Sequence, residues 1–586
     1  MPRINVWAKI LLREHWPALI LAVLVGFNLV LPALTAKIRY GIPFDNPANI
    51  PVADEFFYFA RVREVIDGHP TLGNPYLWEH KSKPPSPVFL GEYMVALPIM
   101  AWQELSGETQ PRVVAWGVFY DFFFPVLITI LVYACLIAIT RSRWLSLLAA
   151  VLLLWGLFPS EFIRLVSPQF NFLFWLSLFF LSYLVIRSSS DSRQRWVLIS
   201  AAALNFGALF YLYTYYWTFY LAFFVIFAAL AVWRGERAAV INAGAIVTGG
   251  LLVAIPYFLV MLRAVRLPEY AETLRRIGMI DSHFPSGIAI VIPGFLILAV
   301  ILWLLRRRVI EWNGETVFFT SGVLAAILSV NQHVITGKNL EFSSHYYLLS
   351  IFWFTFTSAY LLRRIVERPF IPRHLVKLGV LAVTAAIVLP NLYAFTSRFV
   401  TMARPVTSFE RAMPLFNWID HSTTKDYVVM FIPASLSGAI PIYTSANVYF
   451  SNGARLYFVS DEELIDRFIV NHFFTKIDED LIRRNQRALA GVYDIDVAGH
   501  AKQGNKLRRL LGLKPKAVEP FPVSLPVRVR EREKELRAMG FEPALKRFRI
   551  DYIVWDRFAE PTAPLATLLS LTKVAEVSDF VVLGVD

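Results

Sequence analysis

The chain has 586 residues, of which 56% are hydrophobic and 17% are charged, and its mean hydropathy is +0.51. A soluble protein carries about a quarter charged residues, so this composition excludes an ordinary soluble enzyme and predicts several helical membrane spans. The formal net charge of +13 would also suit a nucleic-acid-binding protein. The arginines, however, form short clusters between apolar runs, which is the pattern of membrane topology signals. We therefore expect no nucleic-acid partner.

Eleven apolar runs are predicted to span the membrane. They lie at 16–38, 113–139, 144–158, 169–187, 196–213, 214–233, 239–262, 287–305, 316–332, 346–363 and 376–396. The first run has no small-residue cleavage site, so we interpret it as an uncleaved anchor. The stretch 196–233 is divided at the aromatic sequence YLYTYYW, because a single span there would move two arginine clusters to the opposite side.

This topology predicts which segments face outward. The arginine clusters between spans lie on the same side as Lys9 and Arg13, and that side is predicted to be cytoplasmic. The outward segments are then 39–112, 159–168, 266–287, 333–345 and the tail after residue 398.

The tail has a different character from the rest of the chain. Short β-branched runs at 426–434, 550–557 and 579–586 are separated by helical stretches with mixed charge. The predicted fold class is a polytopic α-helical membrane protein, with a transmembrane domain over 1–398 and a soluble outer α/β domain over 399–586.

The first outer loop contains the sequence VADEFFYFARVREVIDG, residues 52–68, in which a short helix is predicted over 54–67. Asp54, Tyr58 and Arg61 share one face of that helix, at the spacing i, i+4, i+7. Asp54 could instead be the N-cap of the helix. A second apolar helix is expected at 88–105, lying at the membrane interface.

Between these two helices comes the sequence WEHKSKPPSP, in which Lys83 precedes a proline pair. Two prolines stiffen the chain and can hold a neighbouring side chain in a fixed place. The alternative interpretation is that Lys81 and Lys83 extend along the membrane surface without a specific ligand.

The order ADEFFYFARVREVIDG, HKSKPP and apolar helix resembles the first outer loop of the GT-C glycosyltransferases, in particular the protein O-mannosyltransferases and the lipid A aminoarabinose transferases. The resemblance covers the architecture of the whole chain, while the specific motifs occupy about fifty residues. The sequence departs from the aminoarabinose transferases at Phe57, where they carry an arginine, and agrees with them at Arg63.

The resemblance implies a polyprenyl-phosphate-linked sugar donor, a lipid, glycan or protein acceptor, and transfer at the outer face of a bacterial-type inner membrane. It implies Asp54 as the base that deprotonates the acceptor hydroxyl, with Glu55 as neighbour or alternate. Arginine and lysine suit a phosphate leaving group. The expected donor-phosphate ligands are Lys83, Arg61, Arg63 and His80.

Other outer loops offer further substrate or metal contacts, namely Glu161, Arg164, Lys338, Glu341 and His345. In related oligosaccharyltransferases acidic groups of outer loops bind a divalent metal, so Glu161 could hold a Mg or Mn ion together with Asp54 or Glu55. The alternative is a local ion pair between Glu161 and Arg164. The aromatic stretch 211–220 is either an interfacial belt or the wall of a sugar or isoprenoid groove.

Two other functions compete with glycosyl transfer. A transporter or flippase would need ionisable residues within its spans, and Asp121 is one such residue, but the ionisable residues gather at the outer ends of the helices. No glycine-rich phosphate loop is present, so ATP-driven transport is not expected. A ligase or polymerase of lipid-linked glycans would use closely similar chemistry.

Overall fold

The computed structural model describes residues 14–50, 52–85, 89–188, 193–340, 344–367, 407–567 and 571–585, with the isolated positions 378, 382 and 386. The side chains of residues 53, 155–161 and 407–410 lie outside this description. The predicted eleventh span, 376–396, lies almost wholly outside it as well.

Helices dominate the part of the chain before residue 368. In chain order they are α1 (Trp16–Tyr40), α2 (Ala53–Ile66), α3 (Leu90–Ser106), α4 (Val113–Thr140), α5 (Arg143–Glu161), α6 (Asn171–Arg187), α7 (Arg193–Phe210), α8 (Thr214–Trp233), α9 (Arg237–Val253), α10 (Ile255–Val265), α11 (Tyr270–Arg276), α12 (Ile288–Arg306), α13 (Gly314–Asn331), α14 (His333–Thr336) and α15 (Tyr346–Val366). A π-helical segment, Leu165–Phe170, leads into α6, and short strands β1 (Met279–Asp281) and β2 (Lys338–Leu340) pair antiparallel.

The first ten predicted spans all coincide with helices. Within the described residues, six helices are long and apolar enough to cross a membrane, and a seventh span is formed if α9 and α10, which meet at 54°, are counted together. The division of 196–233 is confirmed, because α7 ends at Phe210 and α8 begins at Thr214. The two predicted helices of the first outer loop are α2 and α3.

The C-terminal domain is built on a mixed sheet. Its helices are α16 (Thr407–Ser422), α17 (Ile440–Tyr443), α18 (Asp461–Asn471), α19 (Glu479–Arg484), α20 (Gln486–Ala490), α21 (Tyr493–Leu510), α22 (Ser524–Met539) and α23 (Phe541–Leu545). Its strands are β3 (Val428–Ile432), β4 (Asn447–Val448), β5 (Tyr552–Asp556), β6 (Leu571–Val577) and β7 (Phe580–Val585), in the spatial order β4-β3-β5-β7-β6. The three predicted β-branched runs are β3, β5 and β7.

Strand β3 shows how this sheet is buried on both faces. All five of its residues are buried, and successive side chains of a strand point to opposite faces. Val429 and Phe431 belong to the core that continues into the first outer loop and the membrane helices. Val428 and Met430 belong to a second core, which contains residues of α18 and α22. The sheet therefore has a packed core on each face, one shared with the first outer loop and one within the C-terminal domain.

Aromatic rings fill the centre of the transmembrane helices. The Trp353 indole is fully buried, with its ring centroid 4.8 Å from Phe223 and 5.0 Å from Phe179. Gly322 of α13 lies directly against that indole, and a Cβ added there would overlap it. The close approach of α13 and α15 therefore depends on a residue without a side chain at position 322.

We expect Gly322→Ala to lower the unfolding temperature, because overpacking a buried site costs about 1–3 kcal/mol. Gly244→Ala on α9 is the matched control. No heavy atom lies within 4 Å of a Cβ there, so it should be neutral or stabilise by up to about 1 kcal/mol through helix propensity. Thermal unfolding in detergent measures both. Equal unfolding temperatures for the two variants would contradict the packing described.

Candidate active site

The predicted outward segments meet at one cavity of about 220 Å³. Helices α2 and α3, the segment before α6, the turn between α7 and α8 and the loops before β1 and α15 all contribute to its lining. The C-terminal domain closes it from the other side. The lining residues used below are Asp54, Phe57, Tyr58, Arg61, Glu92, Arg164, Ser167, Tyr213, Tyr215, His345 and Arg455.

Asp54 presents its carboxylate to this cavity from the first turn of α2. The N-cap of α2 is Val52, and no side chain caps the helix. The alternative interpretation, that Asp54 is the N-cap, is therefore wrong. Arg164 Nη1 donates to Asp54 Oδ2 at 3.0 Å, and the Asp54 side chain is 69% exposed. An ion pair so exposed contributes only about 0–1 kcal/mol. It can therefore exchange partners when a ligand enters.

Arg61 lies two turns farther along the same face of α2, as predicted, and is fixed by burial. Its Nε donates to Glu92 Oε1 of α3 at 2.7 Å, with both side chains at most 3% exposed. The buried Tyr457 side chain lies beside it. Burial lowers the pKa of the Arg61 guanidinium, but Glu92 and Tyr457 raise it more. Arg61 is thus a permanent positive charge in the cavity wall.

Glu55 points away from the cavity although it is next to Asp54 in sequence. It is fully buried, and its Oε1 accepts a hydrogen bond from the Leu165 backbone N–H at 2.6 Å. Desolvation raises the pKa of Glu55 well above that of an ordinary carboxyl group. Because a buried neutral acid is a poor proton acceptor, Glu55 fits a structural contact between α2 and the segment that carries Arg164.

An aromatic wall faces Asp54 across the cavity. Tyr213 and His345 are joined by a 2.8 Å hydrogen bond between Oη and Nδ1, and Tyr215 packs on the His345 ring at 4.6 Å between centroids. A second cavity of about 330 Å³ shares Arg164, Ser167, Tyr213 and His345 with the first. Its remaining lining is mainly apolar and aromatic and includes Tyr216, Leu348 and Ile351.

Three predicted phosphate ligands lie outside the cavity lining. Lys83 Nζ donates to Glu269 Oε1 at 2.9 Å and to the Phe458 carbonyl at 2.8 Å. His80 Nε2 lies 2.9 Å from the Glu463 carboxylate. Arg63 bonds with Asp67 and Asp420. Glu463, Phe458 and Asp420 all belong to the C-terminal domain, so these three side chains connect the first outer loop to that domain.

The remaining predicted residues are more dispersed. Lys338 is exposed and its Nζ lies 2.5 Å from Asp281 Oδ1. Glu341 and the side chain of Glu161 lie outside the described residues, so the alternative ion pair between Glu161 and Arg164 concerns a side chain that is not described.

A divalent metal site would need several oxygen ligands in one place. Among the residues that the structure describes, no group of three or more His, Cys, Asp or Glu side chains could hold a metal ion. Asp54 faces the Arg164 guanidinium, and Glu55 is turned into the protein interior. This donor set, within the described part of the chain, does not fit a Mg or Mn ion.

Several lining residues were absent from the sequence prediction. Glu92 had a local signal, because it is a single carboxylate at the start of an apolar helix. Arg455 and Tyr457 had none, because about four hundred residues separate them from Asp54 and only the folded chain brings them together.

No protein-family model matches the chain, and no curated protein matches it. Solved structures do match. ArnT from Cupriavidus metallidurans in the apo state is 12% identical with a TM-score of 0.44, over 99% of this chain and 98% of ArnT. ArnT bound to undecaprenyl phosphate is 14% identical with a TM-score of 0.40, over 97% of each chain.

The archaeal oligosaccharyltransferase AglB from Archaeoglobus fulgidus also matches, in complex with an inhibitory peptide and a dolichol-phosphate. It is 11% identical with a TM-score of 0.47, over 94% of this chain and 71% of AglB. These are likenesses of architecture at very low sequence identity. The chemistry proposed below rests on the residues of this chain.

The burial of Glu55 predicts a pH-dependent difference between wild type and Glu55→Gln. Because the pKa of Glu55 is higher in the folded state, the unfolded state loses this proton at a lower pH than the folded state does. Rising pH therefore favours unfolding, and wild type should lose stability relative to Glu55→Gln as pH rises from about 4 to 8. Thermal unfolding of both proteins across this range measures the difference.

Glu55→Ala is the companion variant. It leaves the buried Leu165 N–H without its acceptor, which costs about 1–3 kcal/mol, so it should be less stable than Glu55→Gln. A constant difference between wild type and Glu55→Gln at all pH values would show that Glu55 is ionised in the folded protein.

Proposed function

We propose that this protein is a membrane glycosyltransferase that moves a sugar from a polyprenyl-phosphate-linked donor to an acceptor at the outer face of the membrane. The observation that carries the proposal is the cavity in which the exposed carboxylate of Asp54 faces the guanidinium of Arg164, with the fixed charge of Arg61 beside them. A base and a set of cations in one cavity are what this reaction needs.

In the proposed reaction, Asp54 accepts the proton of the acceptor hydroxyl as its oxygen attacks the anomeric carbon of the sugar. The bond between that carbon and the phosphate oxygen breaks, and the electron pair leaves with the phosphate. Asp54 suits the role because it lies on a rigid helix and is exposed to the cavity. A phosphate that binds Arg164 would release Asp54 from its ion pair.

The leaving phosphate gains negative charge as the bond breaks, so cations close to it lower the barrier. In the proposal this task falls to the cations that line the cavity, which are Arg164, Arg61 and Arg455, with His345 at its edge. Lys83, His80 and Arg63 act as positioning residues, since each is bonded to a carboxylate at the junction with the C-terminal domain.

The second cavity suits the lipid part of the donor. It is lined by Tyr216, Leu348 and Ile351 and adjoins the first cavity at Arg164 and His345. A lipid phosphate at that junction would place its isoprenoid chain against apolar side chains and its sugar towards Asp54. The aromatic turn at 213–216 would then serve as a groove wall.

We place the cavity and the C-terminal domain on the extracytoplasmic side of a bacterial-type inner membrane, with the N-terminus in the cytoplasm. The support is that all the predicted outward segments contribute to one cavity. A transporter is less well supported, because Asp121, the ionisable residue noted within a span, is hydrogen-bonded to Gln169 and does not line the cavity.

The central test is Asp54→Asn, which should reduce transfer from radiolabelled polyprenyl-phosphate sugars about 100- to 10,000-fold, the range typical of losing a general base. Transfer is measured in membranes from cells that express each variant at equal levels. Glu104→Gln is the matched control, because Glu104 is an exposed carboxylate in the same outer loop, and it should behave as wild type. Full activity of a folded Asp54→Asn variant would rule out Asp54 as the base.

A second comparison separates phosphate binding from positioning. Arg164→Ala should lower kcat/KM roughly 100-fold or more through the loss of a charged donor, with a smaller change in unfolding temperature than Lys83→Ala, because the carboxylate that Arg164 pairs with is exposed. Lys83→Ala should lower the unfolding temperature, since it removes the half-buried bonds to Glu269 and Phe458. The reverse pattern, a stable Lys83→Ala variant with strongly reduced kcat/KM, would assign the phosphate to Lys83.

A further inference from the structure

The C-terminal end of α21 and the segment after it carry a dense positive charge. Between residues 497 and 518 the chain has six lysines and arginines and no aspartate or glutamate. The six are Lys502, Lys506, Arg508, Arg509, Lys514 and Lys516. We call residues 502–516 the basic segment.

Leucines accompany these charges and are exposed. The side chains of Leu510, Leu511 and Leu513 are 80%, 62% and 49% exposed. Exposed leucines inside a cluster of lysines and arginines are typical of a surface that lies in the headgroup layer of a membrane. A surface that faces only water gains no stability from exposed leucines beside clustered cations.

The basic segment is held in a defined conformation. Lys516 N donates to Asn505 Oδ1 at 2.7 Å, and Asn505 Nδ2 donates to the Lys516 carbonyl at 2.8 Å. Leu513 N donates to the Arg508 carbonyl at 2.8 Å. These bonds fold the chain back against α21, so the leucines and the charges form one fixed surface.

The position of the basic segment points to the membrane. Arg508 lies over the ring of Phe284, with its Cζ 5.7 Å from the centroid, and Gly504 also packs on Phe284. Phe284 is four residues before the start of α12 at Ile288. Helix α12 is one of the candidate membrane spans, and most of it is exposed in the structure. The basic segment therefore lies close to the point where a membrane span begins.

A cavity of about 750 Å³ joins the basic segment to the loop that contains β2. Lys338, Arg508, Lys516 and His283 line it, and Asp281 is the single carboxylate in the lining, already paired with Lys338. Ile335, which directly precedes the lining residue Thr336, is 76% exposed. Three cations, a histidine and hydroxyl groups around an open cavity suit a phosphate group.

We propose that the basic segment docks on the membrane leaflet from which α12 emerges, with its leucines in the headgroup layer and its cations on the phosphates of anionic lipids. The cavity between Lys338 and Lys516 takes one such headgroup. Each lysine or arginine near an anionic surface strengthens the contact about fivefold at moderate salt. The docked surface ties the C-terminal domain to the membrane at a place separate from the candidate active site, and the proposal does not depend on glycosyl transfer.

A nitroxide label reports the depth of this surface in the full-length protein. Cys135, the single cysteine, is buried, so a label reacts with a cysteine introduced by Leu511→Cys. Val574→Cys is the control, because Val574 is half-exposed on the edge strand β6 of the same domain. Both are placed in nanodiscs of phosphatidylcholine, and in nanodiscs of an equal mixture of phosphatidylcholine and phosphatidylglycerol.

In the mixed nanodiscs, the measured quantity is the ratio of collisions with oxygen to collisions with a water-soluble nickel complex. This ratio should be several-fold higher for the label at position 511 than for the label at position 574. The difference should shrink in phosphatidylcholine alone and at high salt. Equal water accessibility at positions 511 and 574 in the mixed nanodiscs would overturn the proposal. If the label at position 511 lay at the same depth in both lipid compositions, the proposed role of the charges in docking would be wrong.

Two charge variants complete the test. Lys514→Gln with Lys516→Gln should lower the docking equilibrium roughly tenfold or more, read as a return of the label at position 511 to water. Lys476→Gln with Lys534→Gln removes the same charge from exposed positions elsewhere in the domain and should leave the label depth unchanged. If the two pairs of substitutions had equal effects, the attraction would depend on net charge alone. That result would contradict the proposal that the basic segment is the docking surface.

Discussion

The ion pair between Arg61 and Glu92 is the constraint on which the candidate site depends. Both side chains are almost completely buried, and removing two charges from water is costly unless each finds its partner in good geometry. The pair therefore allows one arrangement of α2 against α3. Tyr457 of the C-terminal domain lies beside the same arginine. Asp54 lies two turns along the same helix face, so its place in the cavity follows from this buried pair.

The cations of the first outer loop divide into two groups by their partners. Lys83, His80 and Arg63 are bonded to carboxylates at the junction with the C-terminal domain, and Arg467 extends that junction by bonding Glu79 across it. Arg164 pairs with the exposed carboxylate of Asp54. A charge with a buried partner is costly to redirect to a ligand, whereas one with an exposed partner is not. In the proposed reaction, the cations of the cavity therefore bind the phosphate, and the cations at the junction hold the first outer loop to the C-terminal domain.

Most of the fold could be predicted from the sequence because apolar run length and helical period are local signals. The helices at the first ten apolar runs, the break before Thr214 and the shared face of Asp54, Tyr58 and Arg61 all follow from spacings of a few residues. The choice among cations could not be predicted in this way. Lys83 and Arg164 look alike in sequence, and what separates them is the partner each meets in the folded chain. Arg455 lies on a domain that sequence spacing cannot place over the cavity.

The C-terminal domain has a direct part in the candidate site, because Arg455 lines the cavity and Tyr457 lies beside Arg61. A cavity completed by two domains exists only while they are docked, so the ion pairs at the junction maintain the site as well as the fold. Asp54, Arg61 and Arg164 come from one side of that junction, and Arg455 comes from the other. Any movement of the domain away from the first outer loop would open the cavity and remove Arg455 from Asp54 together. In the proposed glycosyl transfer, the cavity would therefore hold its full set of charges only while the two domains are docked.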